Sequence, residues 1–268
     1  MAFSTTSIPS RPAAQTQATQ VLLLVLIIAV LWMVYRPGLS GPYVFDDVQN
    51  ITGNSAIAIT SLAPPELLSA AFSKAEGSIG RPMAMLSFAL NYFFNGQSFD
   101  PFAFKLTNLL IHMANVLLVY VLLRLLFQSA GIPSADLESQ INRRRAILLA
   151  LFAAALWGLH PLQLTSVLYT VQRMTSLSAF FVLLGMIVFV QGRRNFANGP
   201  VRAMVMMTAG MGGGVLLGLL SKENAILLPL LAATVEIGLF SRSELVPAYR
   251  RTLAIYYLCL LGIPAVVA

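Results

Sequence analysis

Two adjacent carboxylates, Asp46 and Asp47, stand in the stretch Tyr43-Val44-Phe45-Asp46-Asp47-Val48-Gln49-Asn50. A carboxylate flanked by apolar residues can act as a general base and take the proton of an attacking hydroxyl. The same dipeptide also fits a solvated loop closed by an Asx-turn. Farther on, Lys105, Asn108, His112 and Asn115 recur at i, i+3, i+7 and i+10, which is one face of a helix. Such a face can bind a ligand or close a hydrogen-bonded seam between helices; the seam is the favoured reading for Asn115, and His112 fits either. Three short polar junctions complete the set: Leu159-His160-Pro161, Gln172-Arg173-Met174-Thr175 and Ser221-Lys222-Glu223-Asn224. Lys222 alone also reads as a turn marker with a snorkelling side chain. Taken together, Arg81, Arg173 and Lys222 beside Asp46, Asp47, His160 and Glu223 suit a phosphate-bearing lipid headgroup. No Walker A loop, G-x-S-x-G or H-E-x-x-H competes with this set.

Composition says what must position these groups. Of the 268 residues, 57% are hydrophobic and 10% charged, with a mean hydropathy of +0.78. Soluble domains carry about 25% charged residues, so the solvent here is lipid. The net charge of +7 is spread over the ends of apolar runs rather than gathered in one patch, which argues against a nucleic-acid partner and for membrane flanks. A single cysteine, Cys259, rules out a disulfide within the chain and argues against a structural zinc site.

Seven apolar runs are candidate spans: 18–36, 103–127, 146–160, 174–192, 202–220, 224–240 and 252–268. Residues 1–20 form a polar tail, and the run Val21–Tyr35 ends in Arg36-Pro37 rather than a small-residue cleavage site, so the first helix is read as uncleaved. The last run reaches the end of the sequence, which suggests a missing C-terminal remainder.

With the tail inside, the inner segments hold Arg11, Arg124, Arg143, Arg144, Arg145, Arg193, Arg194, Arg202, Arg242, Arg250 and Arg251. The outer ones hold Arg36, Lys74, Arg81, Lys105, Arg173 and Lys222. This bias sets the orientation and puts the candidate site outside. The one long loop, 37–102, carries two weaker apolar stretches, Ser61–Phe72 with Pro64-Pro65 in its first turn and Met83–Phe94, both read as helices at the outer leaflet. In the fifth run, Gly210, Gly214 and Gly218, with Gly212 and Gly213 between them, mark close approach of another helix.

Phe45-Asp46-Asp47-Val48 resembles the acidic motif in the first outer loop of the protein O-mannosyltransferases and their GT-C relatives. Gly80-Arg81-Pro82 and Phe104-Lys105-Leu106-Thr107-Asn108-Leu109-Leu110-Ile111-His112 resemble the TMTC-type mannosyltransferases, above all bacterial members, and His160-Pro161, Val171-Gln172-Arg173 and Lys222-Glu223 continue the pattern in order. The resemblance covers about residues 40–240. It implies a polyprenyl-phosphate sugar donor and inverting transfer to a hydroxyl, often of a protein Ser or Thr, at the outer face. Asp46 then matches the catalytic acidic residue, with Asp47 as its neighbour. Many relatives carry a Glu a few residues after His-Pro, where this chain has Thr165, and some an acid just after the Arg, where it has Met174-Thr175. Those departures leave acceptor and metal open.

The reading is therefore an all-α polytopic membrane protein, a GT-C-like module over 21–268 with about seven transmembrane helices and amphipathic helices in the 37–102 loop. Its expected place is a bacterial inner (plasma) membrane with the site facing the periplasm or exterior. Asp46 and Asp47 are the expected catalytic residues. Arg81, Lys105, Asn108, His112, His160, Arg173, Lys222 and Glu223 are the expected substrate contacts. The implied partners are a polyprenyl-phosphate sugar donor, a protein or glycan acceptor and membrane lipid. No cofactor is certain, and a divalent metal stays open. The rival readings are a transporter or flippase of a lipid-linked sugar precursor and a non-catalytic scaffold.

Overall fold

The computed structural model describes residues 13–73, 80–130, 137–240 and 247–267. Arg11, Lys74 and Arg242 of the charge pattern lie outside the described residues, as do residue 268 of the last run and part of the polar tail. The regular elements among the described residues are all helical, with no strand: α1 (Ala13–Tyr35), α2 (Pro64–Ala71), α3 (Pro82–Phe94), α4 (Pro101–Ala130), α5 (Leu137–Gly158), α6 (Leu164–Leu168), α7 (Arg173–Arg194), α8 (Pro200–Leu219), α9 (Leu228–Val235) and α10 (Pro247–Val267).

Five segments are long and apolar enough to cross a membrane: Gln17–Gly38, Pro101–Ser129, Thr170–Arg194, Pro200–Leu219 and Glu223–Phe240. A sixth is a bent pair, Arg144–Gly158 with Pro161–Leu168, angled by 53°. The chain is thus a multi-pass integral membrane protein, with five or six such spans among the described residues against seven read from the sequence. The third apolar run differs because its helix stops before His160-Pro161, where proline cannot continue the backbone ladder, and the span continues, bent, over Pro161–Leu168. The seventh falls on α10, most of whose last side chains lie outside the described set.

Proline and aspartate set the helix starts. Pro64, Pro82, Pro101 and Pro200 each open a helix, where a missing N–H costs nothing. Asp100 caps α4, its carboxylate accepting from the Phe102 and Ala103 amides at 3.2 and 3.4 Å. Glu66 in α2 reaches back to accept from the Thr60 and Ser61 amides at 2.7 and 3.1 Å and from the Ser61 hydroxyl at 2.6 Å.

Three apolar clusters hold the elements. Leu31, Leu109, Val116 and Ala154 join α1, α4 and α5. Met186, Phe189, Met207, Leu228 and Leu253 join α7 to α10. Ile51, Ile57, Met85, Phe88, Phe104 and Met174 pack the 37–102 loop, with its helix α3, onto the starts of α4 and α7. Against these, Leu22, Met33, Phe152, Leu216 and Leu258 are exposed, as lipid-facing side chains must be.

The glycines of α8 divide by face. A Cβ on Gly210 would meet the Gly185 carbonyl at 2.7 Å, one on Gly214 would meet Leu228 at 2.6 Å and the Phe181 carbonyl at 3.1 Å, and one on Gly218 would meet Ala225 at 2.5 Å. Gly212 and Gly213 have nothing within 4 Å. Close approach therefore belongs to the i, i+4, i+8 set alone.

Candidate functional site

The polar segments meet at the start of α7, where the turn Thr170–Gln172 leads into Arg173. The first N–H groups of a helix have no partner inside it. Here Asp47 supplies one. It is fully buried; its Oδ1 accepts from the Val171 amide at 2.7 Å, and its Oδ2 accepts from Thr170 at 3.2 Å and from Val44 at 3.2 Å. A carboxylate also complements the positive end of the α7 dipole.

Asp46 faces the other way and is exposed. Its amide donates to the Tyr169 hydroxyl at 3.2 Å, and its carbonyl accepts from Asn50 Nδ2 at 2.8 Å. Phe45 sets the divergence of the pair. It sits at φ 48°, a conformation a bulky residue adopts only when its surroundings hold it there, at a cost of order 1–3 kcal/mol. Its ring is 85% exposed and meets Tyr169 edge-on with centroids 6.0 Å apart. Partial burial, then the nearby Asp46 and Asp47 charges, push the Tyr169 hydroxyl above its ordinary pKa, although the Asp46 amide opposes this. Burial raises Tyr43 further, with Asp47 and Asp100 adding to the effect and Arg173 opposing it. Both phenols stay protonated at neutral pH.

The α4 stripe is buried along its length. Lys105 Nζ donates to the Gly41 and Pro42 carbonyls at 2.8 and 2.9 Å. Asn108 Nδ2 donates to the Val167 and Thr170 carbonyls at 3.3 and 3.1 Å. His112 Nε2 lies 2.9 Å from the Gly158 carbonyl, with its ring between Tyr35 and Trp157. Asn115 donates to the Ser176 carbonyl at 2.9 Å. Each side chain binds backbone of a neighbouring segment, which is the geometry of a seam. For Lys105, Asn108 and His112 this departs from the expected substrate contact, because their polar atoms are spent on carbonyls freed at helix ends and loops.

Arg173 departs in the same way. It is fully buried and makes four hydrogen bonds: to Asn108 Oδ1 at 2.7 Å, Asn91 Oδ1 at 2.7 Å, the Phe104 carbonyl at 2.8 Å and the Ser87 carbonyl at 3.1 Å. Its guanidinium also lies 4.5 Å from the Phe88 ring centroid. A contact from this side chain to phosphate is closed in this arrangement; it ties α3, α4 and α7 together instead.

Arg81, Lys222 and Glu223 remain near the surface at the same helix start. Arg81 forks onto Glu223 at 3.3 and 3.1 Å and places Nη1 3.2 Å from Met174 Sδ. Lys222 Nζ donates to Thr175 Oγ1 at 2.7 Å and to Gln172 Oε1 at 3.5 Å. The Met83 amide donates to the Leu220 carbonyl at 3.0 Å, which locks the Arg81 segment to the end of α8. His160 stands apart. It is exposed, its Nδ1 accepts from the Leu162 amide at 3.2 Å, and among the described residues it has no hydrogen bond or ion pair with another candidate. Among the described residues no three His, Cys, Asp or Glu side chains gather as a metal site would require.

Sequence reasoning missed Tyr169 as a partner of Asp46, and Asn91 and Ser87 as anchors of Arg173. Tyr169 lies three residues before Gln172 in a polar break between apolar runs; that position was its one signal.

The comparisons add a distant relationship. The chain is 29% identical over 161 residues to human "Protein O-mannosyl-transferase TMTC4", covering 58% of this chain and 21% of that protein. It is 24% identical over 222 residues to the mouse protein of the same name, covering 80% of this chain and 29% of that protein. The chain thus spans under a third of the length of these curated relatives. No family model and no solved structure matches it.

Proposed function

We propose that this chain is the membrane-embedded catalytic part of a glycosyltransferase that moves a sugar from a polyprenyl-phosphate donor to an acceptor hydroxyl at the outer face of the membrane. The acceptor class that fits is a protein Ser or Thr or a glycan hydroxyl. The observation that carries the reading is the split of the acidic pair: Asp47 is consumed in holding α7, while Asp46 is left exposed beside Tyr169. The distant similarity to an O-mannosyl-transferase supports it.

In this mechanism the acceptor oxygen attacks the anomeric carbon as its proton passes to Asp46. The bond from that carbon to the phosphate oxygen breaks, and the polyprenyl phosphate leaves with the electron pair. Arg81 and Lys222 turn from Glu223, Thr175 and Gln172 toward the phosphate when the donor binds, and once there they stabilise the charge that develops on it as it leaves. Tyr169 positions Asp46. Arg173, Lys105, Asn108 and His112 hold the helices that carry the site.

The test is transfer by the purified protein, in bilayers, from a panel of polyprenyl-phosphate sugars to hydroxyl acceptors, with release of polyprenyl phosphate as the readout. Transfer that Asp46→Asn abolishes supports the reading. Movement of the donor across the bilayer without transfer would place the chain among transporters.

A further inference from the structure

The end of the bundle away from Asp46 holds a second polar site. α7 has 22 residues, so its far end lies about 33 Å from Arg173 at 1.5 Å per residue. Cations crowd that end: Arg193 and Arg194 close α7, and Arg202 lies in the first turn of α8. Glu236 neutralises Arg193, accepting at 2.7 and 2.8 Å, and takes the Tyr257 hydroxyl at 3.1 Å. Arg202 is exposed and has no ion pair or hydrogen bond among the described residues. Beside it a cavity of about 420 Å³ opens, lined by Gln191, Asn195, Asn198, Gly199, Arg202 and Met206.

Three independent features specify the occupant. The lining offers one cation and three neutral amide side chains, with no carboxylate, so it suits a single anion with several acceptor oxygens. Gly199 precedes α8 and provides no side-chain cap, so the first amides of that helix add to the positive field at the cavity. Val201, next to Arg202, and Val205, about one helical turn farther on, are 78% and 63% exposed, so apolar surface of the kind acyl chains cover adjoins the polar cavity. We infer that this cavity binds the phosphate-bearing headgroup of an anionic phospholipid, in the leaflet opposite the candidate active site. Basic pockets between transmembrane helices take such headgroups by charge and by the adjacent chains. The inference does not depend on the reaction proposed for the other face.

The test uses the whole protein in a neutral detergent and three probes: dioctanoyl phosphatidylglycerol, dioctanoyl phosphatidylcholine and inorganic phosphate. Binding is read by native mass spectrometry and calorimetry. Phosphatidylglycerol should bind saturably at one site and phosphatidylcholine should not. Arg202→Ala should weaken phosphatidylglycerol roughly tenfold or more, as loss of a charge-assisted contact does. Asn198→Trp, which narrows the cavity and leaves the charge unchanged, should weaken it as well. Arg145→Ala, an exposed arginine on α5 that does not line the cavity, should leave binding unaltered. Equal loss in Arg145→Ala would mean diffuse surface charge and overturn the site. Equal binding of both lipids would overturn it too, and phosphate binding as tightly as the lipid would reduce it to a free-anion site.

Discussion

Exchanging each carboxylate of the acidic pair for its amide should produce opposite phenotypes. Asp47 accepts three backbone N–H groups, two on Oδ2 and one on Oδ1. An asparagine there offers one oxygen and one NH2. In its cheaper orientation the oxygen keeps Thr170 and Val44, and the NH2 is set against the Val171 amide. One buried N–H then loses its partner, at about 1–3 kcal/mol. The two surviving bonds fall from charge-assisted to neutral strength, roughly another 1 kcal/mol. Asp47→Asn should therefore cost about 2–4 kcal/mol, a large share of a typical total of about 5–15 kcal/mol. Asp46 is exposed and its side chain caps nothing, so Asp46→Asn should change stability by no more than about 0.5 kcal/mol. It should still lower single-turnover transfer by about 10²–10⁴-fold, the usual worth of a general base. Thermal unfolding in detergent and single-turnover transfer, measured on both variants, form the assay. Wild-type unfolding by Asp47→Asn would refute the capping role, and full transfer by Asp46→Asn would refute the base.

Four further outcomes follow. Lys222→Ala and Arg81→Ala should weaken binding of a polyprenyl-phosphate sugar and also slow transfer in the bound complex, because the charge on the departing phosphate loses its cation; unchanged donor affinity in both would remove them from the phosphate site. Gly214→Leu should destabilise by about 1–3 kcal/mol or more through overpacking against Leu228 and Phe181, whereas Gly213→Leu, with open space at its Cβ, should be tolerated; equal yields would contradict the packing. In a Cys259→Ser background, a cysteine at Ser55 should react with an impermeant thiol reagent from outside and one at Asn198 should not, and the reverse would invert the bundle. The Glu66 carboxyl is held below its usual 4.5 by the Ser61 hydroxyl and the Thr60 and Ser61 amides, so the hook that starts α2 should be fully present above pH 4.5 and lost as pH falls through the lowered value. Hydrogen-exchange protection of those amides should follow that course and be absent in Glu66→Gln; pH-independent protection would refute it.

Local signals made the helices legible. Pro64-Pro65, Pro82 and Asp100-Pro101 carry their own start chemistry, and α2, α3 and α4 begin there. The period of Lys105, Asn108, His112 and Asn115 marked one buried face before any contact was known. What could not be read is which member of a pair turns inward. Asp46 and Asp47 have nearly the same neighbours in sequence, and their difference is made by Thr170 and Val171, 123 and 124 positions away. Arg173 was legible as a cation near a polar break. Its burial depends on Asn91, Ser87 and Phe104, which carry no charge to betray the association. The glycine spacing, by contrast, was legible: Gly210, Gly214 and Gly218 at i, i+4 and i+8 are the close-approach set, and 100° per residue places Gly212 and Gly213 away from that face.

These long-range contacts also explain why the site sits where it does. The start of α7 receives Asp47 from the first loop, Asn108 from α4, Asn91 from α3 and Lys222 from the end of α8. Four segments thus fix one turn, and the exposed groups that remain are those the turn does not need: the Asp46 carboxylate, and an Arg81–Glu223 pair with 22% and 54% of its side-chain surfaces in solvent. An exposed ion pair contributes only about 0–1 kcal/mol to folding, so giving it up to a ligand phosphate costs the fold little. The buried pair Arg193–Glu236, at 4% and 16% exposure, has no such freedom, because removing one partner strands a charge inside the protein. The two arginine–glutamate pairs therefore differ in what they can do. A double-mutant cycle should find strong coupling in stability for Arg193–Glu236 and weak coupling for Arg81–Glu223, with only the second pair altering donor affinity. Strong stability coupling at Arg81–Glu223 would mean that its charges belong to the scaffold and are not available to a substrate.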